Sequence, residues 1–217
     1  MVRSNENYET IYKHVEEHLG PVAGVFQEIL SDELTIDIIV AAPTKERNCY
    51  TLVTSGISEI PFTVPDGAES YRYAELTISL PPTWKISDED FKDERNYWPI
   101  RALKTIGRFP HEYNTWLYYG HTVANGNPPA PYSSDAKFQG MLVWVPEAAN
   151  ATEFFNLSLS EEKVVHFFSL IPLYQDEIEF KVKNGQDALL EKLGRVGADQ
   201  IVNVNRKNAC KKLFGLF

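Results

Sequence analysis

Near the start of the chain, apolar side chains recur at helical spacing. Tyr8, Ile11, Tyr12, Val15 and Leu19 share one face of a 3.6-residue repeat. Ser4 or Asn5 stands where a cap would, and Gly20-Pro21 stops the run, so residues 6–19 are predicted to form an amphipathic helix. The period then changes to two. In LTIDIIVA, Leu34, Ile36, Ile38 and Val40 alternate with Glu33, Thr35 and Asp37; in YAELTISL, Ala74, Leu76, Ile78 and Leu80 alternate with Tyr73, Glu75, Thr77 and Ser79. Both read as half-buried strands with one apolar and one polar side. CYTLVTS (49–55), rich in β-branched and aromatic residues, is a third strand that ends at Gly56.

Two stretches without either period, Pro61 to Ser70 and PPTWKISDEDFKDERNYW, read as irregular connections. Pro99 is predicted to open a second helix at its first turn, with Ile100, Leu103, Ile106 and Phe109 on one face until Pro110 interrupts it. A loop rich in Pro, Gly and Asn (124–135) precedes two near-continuous apolar runs, FQGMLVWV (138–145) and VVHFFSLI (164–171). Such runs suit central strands covered on both faces. Asp187 to Leu193 is helical with Gly194 at its end, YQDEIEFKVK fits helix or strand, and IVNV (201–204) is a possible last strand before a frayed end. Strands alternating with helices, without repeats or a composition break, give an α/β (α+β) architecture: one domain over residues 1–217, a mixed sheet with helices on both faces.

Composition narrows the function classes. The chain has 217 residues, 43% of them hydrophobic and 24% charged, and no apolar run of the length a membrane span needs. The N-terminus turns polar at once and lacks a signal-peptide core, so cytoplasm is the expected location. Net charge is −9, yet residues 199–217 carry +3, which leaves −12 on the remainder. Such a body is repelled by nucleic-acid backbones and attracts basic proteins. The two cysteines, Cys49 and Cys210, have no CxxC spacing and read as buried free thiols in preference to a structural pair.

No motif announces chemistry. GxSxG, GxGxxG, GxxxxGK[ST] and HExxH are all absent, so no catalytic nucleophile, cofactor or metal is expected. His14 and His18 share a helix face that reads as solvated, and His166 reads as a hydrogen-bonded core histidine. Asp37 and Glu75 would form an acid/base pair only if their strands were neighbours. The simpler reading makes them surface acids partnered by Arg47, Arg95 or Arg101. More unusual is FPHEYNTWLYYGHT (109–122), which packs two of five histidines beside a tryptophan and three tyrosines. Trp84, Tyr97 and Trp98 extend this set of rings, which either plug loops onto the core or anchor a protein partner.

Four stretches carry a family resemblance: TLVTSGIS (51–58), YAELTISLPPTW (73–84), DERNYWPIRALKTIGRFPHEYNTWLYYGHTV (93–123) and KFQGMLVWVP (137–146). Together they resemble the Suppressor of fused domain in its bacterial form, over a core of about 36–194 followed by the basic tail 199–217. In eukaryotic relatives the resemblance implies no catalysis: the domain restrains zinc-finger transcription factors of the Hedgehog pathway by clasping an extended peptide, with a second domain closing over it. This chain departs from them at the decisive turn, having Gly120, His121, Thr122 and Val123 where they have Gly-Asp-His-Val, so that ligand is not expected to transfer. The bacterial context implies immunity proteins that neutralise toxins, often nucleases. The expected function is a non-catalytic module that occludes a basic toxin domain through Asp37, Glu75, Tyr118, Tyr119 and His121. Trp98, Pro99, Phe109, Pro110 and Trp116 would serve as scaffold, with His111 and Trp116 fixing the turn against the sheet. The alternatives are a regulator that sequesters a transcription factor, or a small hydrolase using Asp37, Glu75 and His121.

Overall fold

The computed structural model describes residues 5–28, 34–147 and 151–211. Helix α1 (Asn5–Leu19) is followed by strands β1 (Val22–Phe26), β2 (Asp37–Ala41), β3 (Tyr50–Ser55) and β4 (Tyr73–Leu80), then by α2 (Glu94–Glu112). Strands β5 (Thr122–Ala124) and β6 (Gly140–Trp144) lead to α3 (Ala151–Phe155), β7 (Asn156–Ser158) and β8 (Val164–Leu173), and the helices α4 (Gln175–Asn184) and α5 (Gln186–Arg195) follow. The strands form one sheet in the order β1-β2-β3-β4-β8-β6-β5, with β7 paired to β8. Every pairing is antiparallel except β4 with β8. The mixed sheet between helices is therefore present as expected. Ser4 and Glu33 lie outside the described residues.

Alternation along each strand sorts the core into two sides. Ile38, Val40, Leu52, Leu76, Ile78, Met141, Val143, Phe168 and Leu170 join the buried face of α2 in the largest cluster. On the opposite side, Ile39, Ala41, Val53, Val165 and Phe167 meet α1 and Phe154 of α3, while Leu142, Ile171 and Leu173 lie beneath α4 and α5. Each such aliphatic or aromatic side chain contributes about 1.5–3 kcal/mol when removed from water. The sequence reading gave β2 and β4 a solvated polar side; instead every residue of β2 is buried, and most of β4. Helices on both sides take that solvent away, so the polar positions must find partners inside the protein.

Helix α2 begins five residues before Pro99. Asp93 caps it by accepting from the Arg95 N–H, and both Pro99 and Pro110 sit within the helix. Each proline removes one backbone bond, but the face Trp98, Ala102, Leu103, Ile106 and Pro110 is buried against the sheet, and that packing outweighs the loss. The N-cap aspartate was the signal that the proline obscured. His14 also departs from expectation. It is 7% exposed, bonds the Phe154 carbonyl through Nε2 at 3.0 Å and stacks on Phe154, because α3 covers the face that α1 alone would leave wet. His166 is the hydrogen-bonded core histidine predicted, held between Asn156 Oδ1 and the Ser70 carbonyl at 2.8 Å each.

The segment after α5 is tied down rather than loose. Ile201 bridges to Ser79, so IVNV supplies one parallel contact in place of a strand. Arg206 then reaches the fully buried Glu177 in a two-pronged ion pair at 2.6 Å, and its guanidinium lies over the Phe138 and Tyr174 rings at 5.0 and 4.8 Å. Residues from Lys212 onward lie outside the described part, and Cys49 and Cys210 are free thiols, the first buried and the second half-buried. Breaking a buried pair leaves a charge without compensation. Arg206→Met is therefore expected to lower unfolding free energy by about 3–5 kcal/mol, read as a shift in the urea midpoint; a change within about 0.5 kcal/mol would contradict the pair's structural role.

Candidate functional site

The end of the sheet where β4 and β8 begin and β6 finishes is organised by one carboxyl. Glu75, fully buried on β4, accepts from Thr54 Oγ1 at 2.6 Å, the Gly56 N–H at 2.9 Å, the Ser58 N–H at 3.0 Å and Ser58 Oγ at 2.7 Å. Those four donors bend the chain sharply after β3. Gly56 meets this demand with φ +134°, and a Cβ there would lie 2.1 Å from the Thr35 carbonyl oxygen, so only glycine fits. The turn delivers Ile57 to the notch at Gly107 of α2, where a Cβ would approach Ile57 Cδ1 to 2.5 Å. Burial pushes the Glu75 proton affinity up, and the four donors pull in the opposite direction without overcoming it.

Beyond α2 the chain crosses the same end of the sheet. Asn114 takes φ 49°, and Gly120 takes φ +86° where a Cβ would strike Gln186 of α5. The backbone of Gly120 and His121 is stitched to Val143 of β6 by two bonds, at 2.7 and 2.9 Å. These constraints hold Trp116, Tyr118, Tyr119 and His121 in contact, with Tyr118 and Tyr119 centroids 4.1 Å apart and the His121 ring edge-on to Trp116 at 5.3 Å. Tyr71, 4.6 Å from Tyr118, links them to His166 and Phe155, and Trp144 adjoins Tyr119. The result is a continuous strip of eight rings, of which all but His166 are partly open to solvent. The neighbouring Tyr119 and Tyr71 hydroxyls raise the Tyr118 phenol well above its ordinary range, so it stays a neutral donor. Burial, then repulsion from Lys181, lowers His121 and favours its neutral imidazole.

The five residues expected to act together divide into two groups. Tyr118, Tyr119 and His121 are neighbours on the strip. Glu75 is interior, and Asp37 is 2% exposed and accepts from the Glu28 N–H at 2.9 Å. Neither is a surface acid, and none of the three arginines partners Glu75: Arg47 serves backbone carbonyls, Arg95 pairs with Asp93, and Arg101 with Glu94. Strand β3 separates β2 from β4, so the acid/base geometry fails at its premise. Four strand spacings lie between Asp37 and the β6 strand that holds His121, roughly 19 Å, which scatters the three proposed hydrolase residues. Trp84, Tyr97 and Trp98 plug the 81–93 segment elsewhere on the core, with Trp84 edge-on to Trp98 at 6.0 Å. Tyr71, Trp144 and Phe155 escaped the sequence reading because each comes from a different segment.

The sequence profile of the suppressor of fused protein (SUFU) family matches residues 32–207. The chain belongs to the suppressor of fused family. Among solved structures, a SUFU homologue from Neisseria gonorrhoeae shares 19% identity at a TM-score of 0.69, covering 96% of this chain and 100% of that one. The Sufu-Fu complex matches with 17% identity and a TM-score of 0.65, over 94% of this chain and 92% of that one. Drosophila Suppressor of Fused matches with 17% identity and a TM-score of 0.64 over 94% of this chain, which spans 51% of the fly protein. No curated protein sequence matches. Among the described residues, no helix is long and apolar enough to cross a membrane, and no cluster of three or more His, Cys, Asp or Glu residues is arranged to hold a metal.

In this SUFU-family chain, Glu75→Ala would strand the Gly56 and Ser58 N–H groups in the interior and is expected to cost about 3 kcal/mol or more. The carboxyl holds its proton more tightly folded than unfolded. Its contribution is therefore fully present below the ordinary glutamate value of 4.5 and declines as pH rises through the raised folded value. Urea melts at about pH 5 and about pH 8 should show the wild type losing stability relative to Glu75→Gln; parallel behaviour of the two would contradict the raised proton affinity.

Proposed function

We propose that this SUFU-family chain is a non-catalytic protein-binding module that neutralises a basic, nuclease-type toxin domain inside the producing cell by covering its working surface. The observation that carries this reading is the aromatic strip. Its rings are fixed by one another and by the Gly120–His121 stitch to β6, yet all but His166 stay partly exposed, with Tyr119 at 37%. Rings of this kind give contact area at low entropic cost, which is how binding hot spots slow dissociation. The acidic body supplies the second requirement, since a charge of −9 draws a cationic partner and raises the encounter rate. A related protein was crystallised as its complex with Fu. The contact set proposed is Tyr118, Tyr119 and His121, extended by Trp116 and Trp144.

Co-expression with a basic, nuclease-type toxin domain encoded beside its gene, where one is found, tests the reading. Growth should be restored by the wild-type chain, and Tyr119→Ala should weaken protection through dissociation faster by about tenfold or more, with an unchanged melting point. Association should slow as salt is raised. An absence of protection, or turnover of a small substrate that His121→Ala abolishes, would overturn it.

A further inference from the structure

The side of the sheet that carries α1 and α3 at one end and α4 and α5 at the other is not fully covered between them. In that gap Thr51 on β3, Thr77 and Ser79 on β4, and Ser169 on β8 form a floor of four hydroxyls, because Thr51 pairs in register with Ser79 and Thr77 with Ser169. A cavity of about 230 Å³ stands on this floor, walled by Leu19 and Phe154. Thr77 and Ser169 are 2% and 1% exposed, and their hydroxyls have no partner among the described residues. Hydroxyls that line a cavity offer both donors and acceptors to a polar molecule that enters it. The remaining wall is firm: Gln200, 6% exposed, clamps the 145–147 segment by accepting from the Glu147 N–H at 2.9 Å and donating to the Val145 carbonyl at 2.6 Å.

The pocket carries both signs of charge. Arg47 lines it, and the partners of its guanidinium are neutral: the carbonyls of Leu19, Ala42 and Cys49, the Cys49 thiol and the Thr51 hydroxyl. Among the described residues it meets no carboxylate, and its Nε is buried without an acceptor. Glu46, Glu147 and Asp199 also line the pocket, all exposed. A guanidinium without a counter-charge favours a carboxylate, and the acidic rim favours a cation. The volume lies below the roughly 300–1,000 Å³ of sites for drug-sized ligands. We infer that this pocket binds a small zwitterion of free amino-acid size, its carboxylate toward Arg47 and its ammonium toward the Glu147 and Asp199 rim, with the hydroxyl floor bonding its polar atoms. The pocket borders the aromatic strip where Ser169 pairs with Trp144, so its occupancy is scored on the chain alone, without a protein partner.

Calorimetry with the free L-amino acids, their amides and their N-acetyl derivatives tests the assignment on the full chain. At least one free amino acid should bind saturably, with its amide and N-acetyl forms at least about tenfold weaker. Thr77→Val keeps the shape of the floor without its hydroxyl, and Glu147→Gln keeps the rim without its charge; each should weaken that binding about tenfold while the unliganded melting point stays put. Should Thr77→Val fail to fold, Ser169→Ala removes the neighbouring hydroxyl instead. No binding by any amino acid at about 10 mM, equal binding of the amides, or indifference to both the floor and the rim substitutions would overturn the inference.

Discussion

A carboxyl with no access to water, satisfied by four donors from the chain just beyond β3, is the constraint on which this architecture turns. Glu75 fixes the path of Gly56 to Ser58. That path puts Ile57 against Gly107, which sets how closely α2 approaches the sheet. The position of α2 in turn decides where Tyr113 to His121 emerge, and so where Trp116, Tyr118 and Tyr119 meet Tyr71 and Trp144. The aromatic strip is thus the far end of a chain of contacts that starts from an interior hydrogen-bond cluster. Such clusters are costly when partly satisfied and strongly specifying when complete.

Much of the fold was legible because it rests on periodicity. The alternation in YAELTISL and the apolar run VVHFFSLI mark β4 and β8, and the helical spacing of Tyr8 to Leu19 marks α1. What periodicity could not show was which polar side faces water. Asp37, Glu75, Thr77 and His14 look solvated on their own elements, and only other segments, such as α3 beside His14 and the Gly56 turn around Glu75, enclose them. Short pieces such as β1, β5, α3 and β7 carry too few residues for a period to declare itself. The candidate site was half visible for the same reason: Tyr118, Tyr119 and His121 are adjacent in sequence, whereas Tyr71, Trp144 and Phe155 join them only through strand order.

The placement of charge follows a similar logic. The buried Glu177 is paired with Arg206 and fixes structure, while acids such as Glu46, Glu147 and Asp199 stand at the surface. In the proposed function, long-range attraction and short-range aromatic contact divide the work between encounter and residence. The hydroxyl-floored pocket falls outside that division, on the side of the sheet where two pairs of helices leave a gap.

Amide hydrogen exchange at Gly56 and Ser58 probes the central constraint at the two backbone donors that define it. If Glu75 holds the turn as an interior element, both amides exchange only on opening events close in free energy to global unfolding, alongside the β3 and β4 amides. Exchange of either at the rate of an exposed loop would show that the carboxyl does not anchor this end of the sheet.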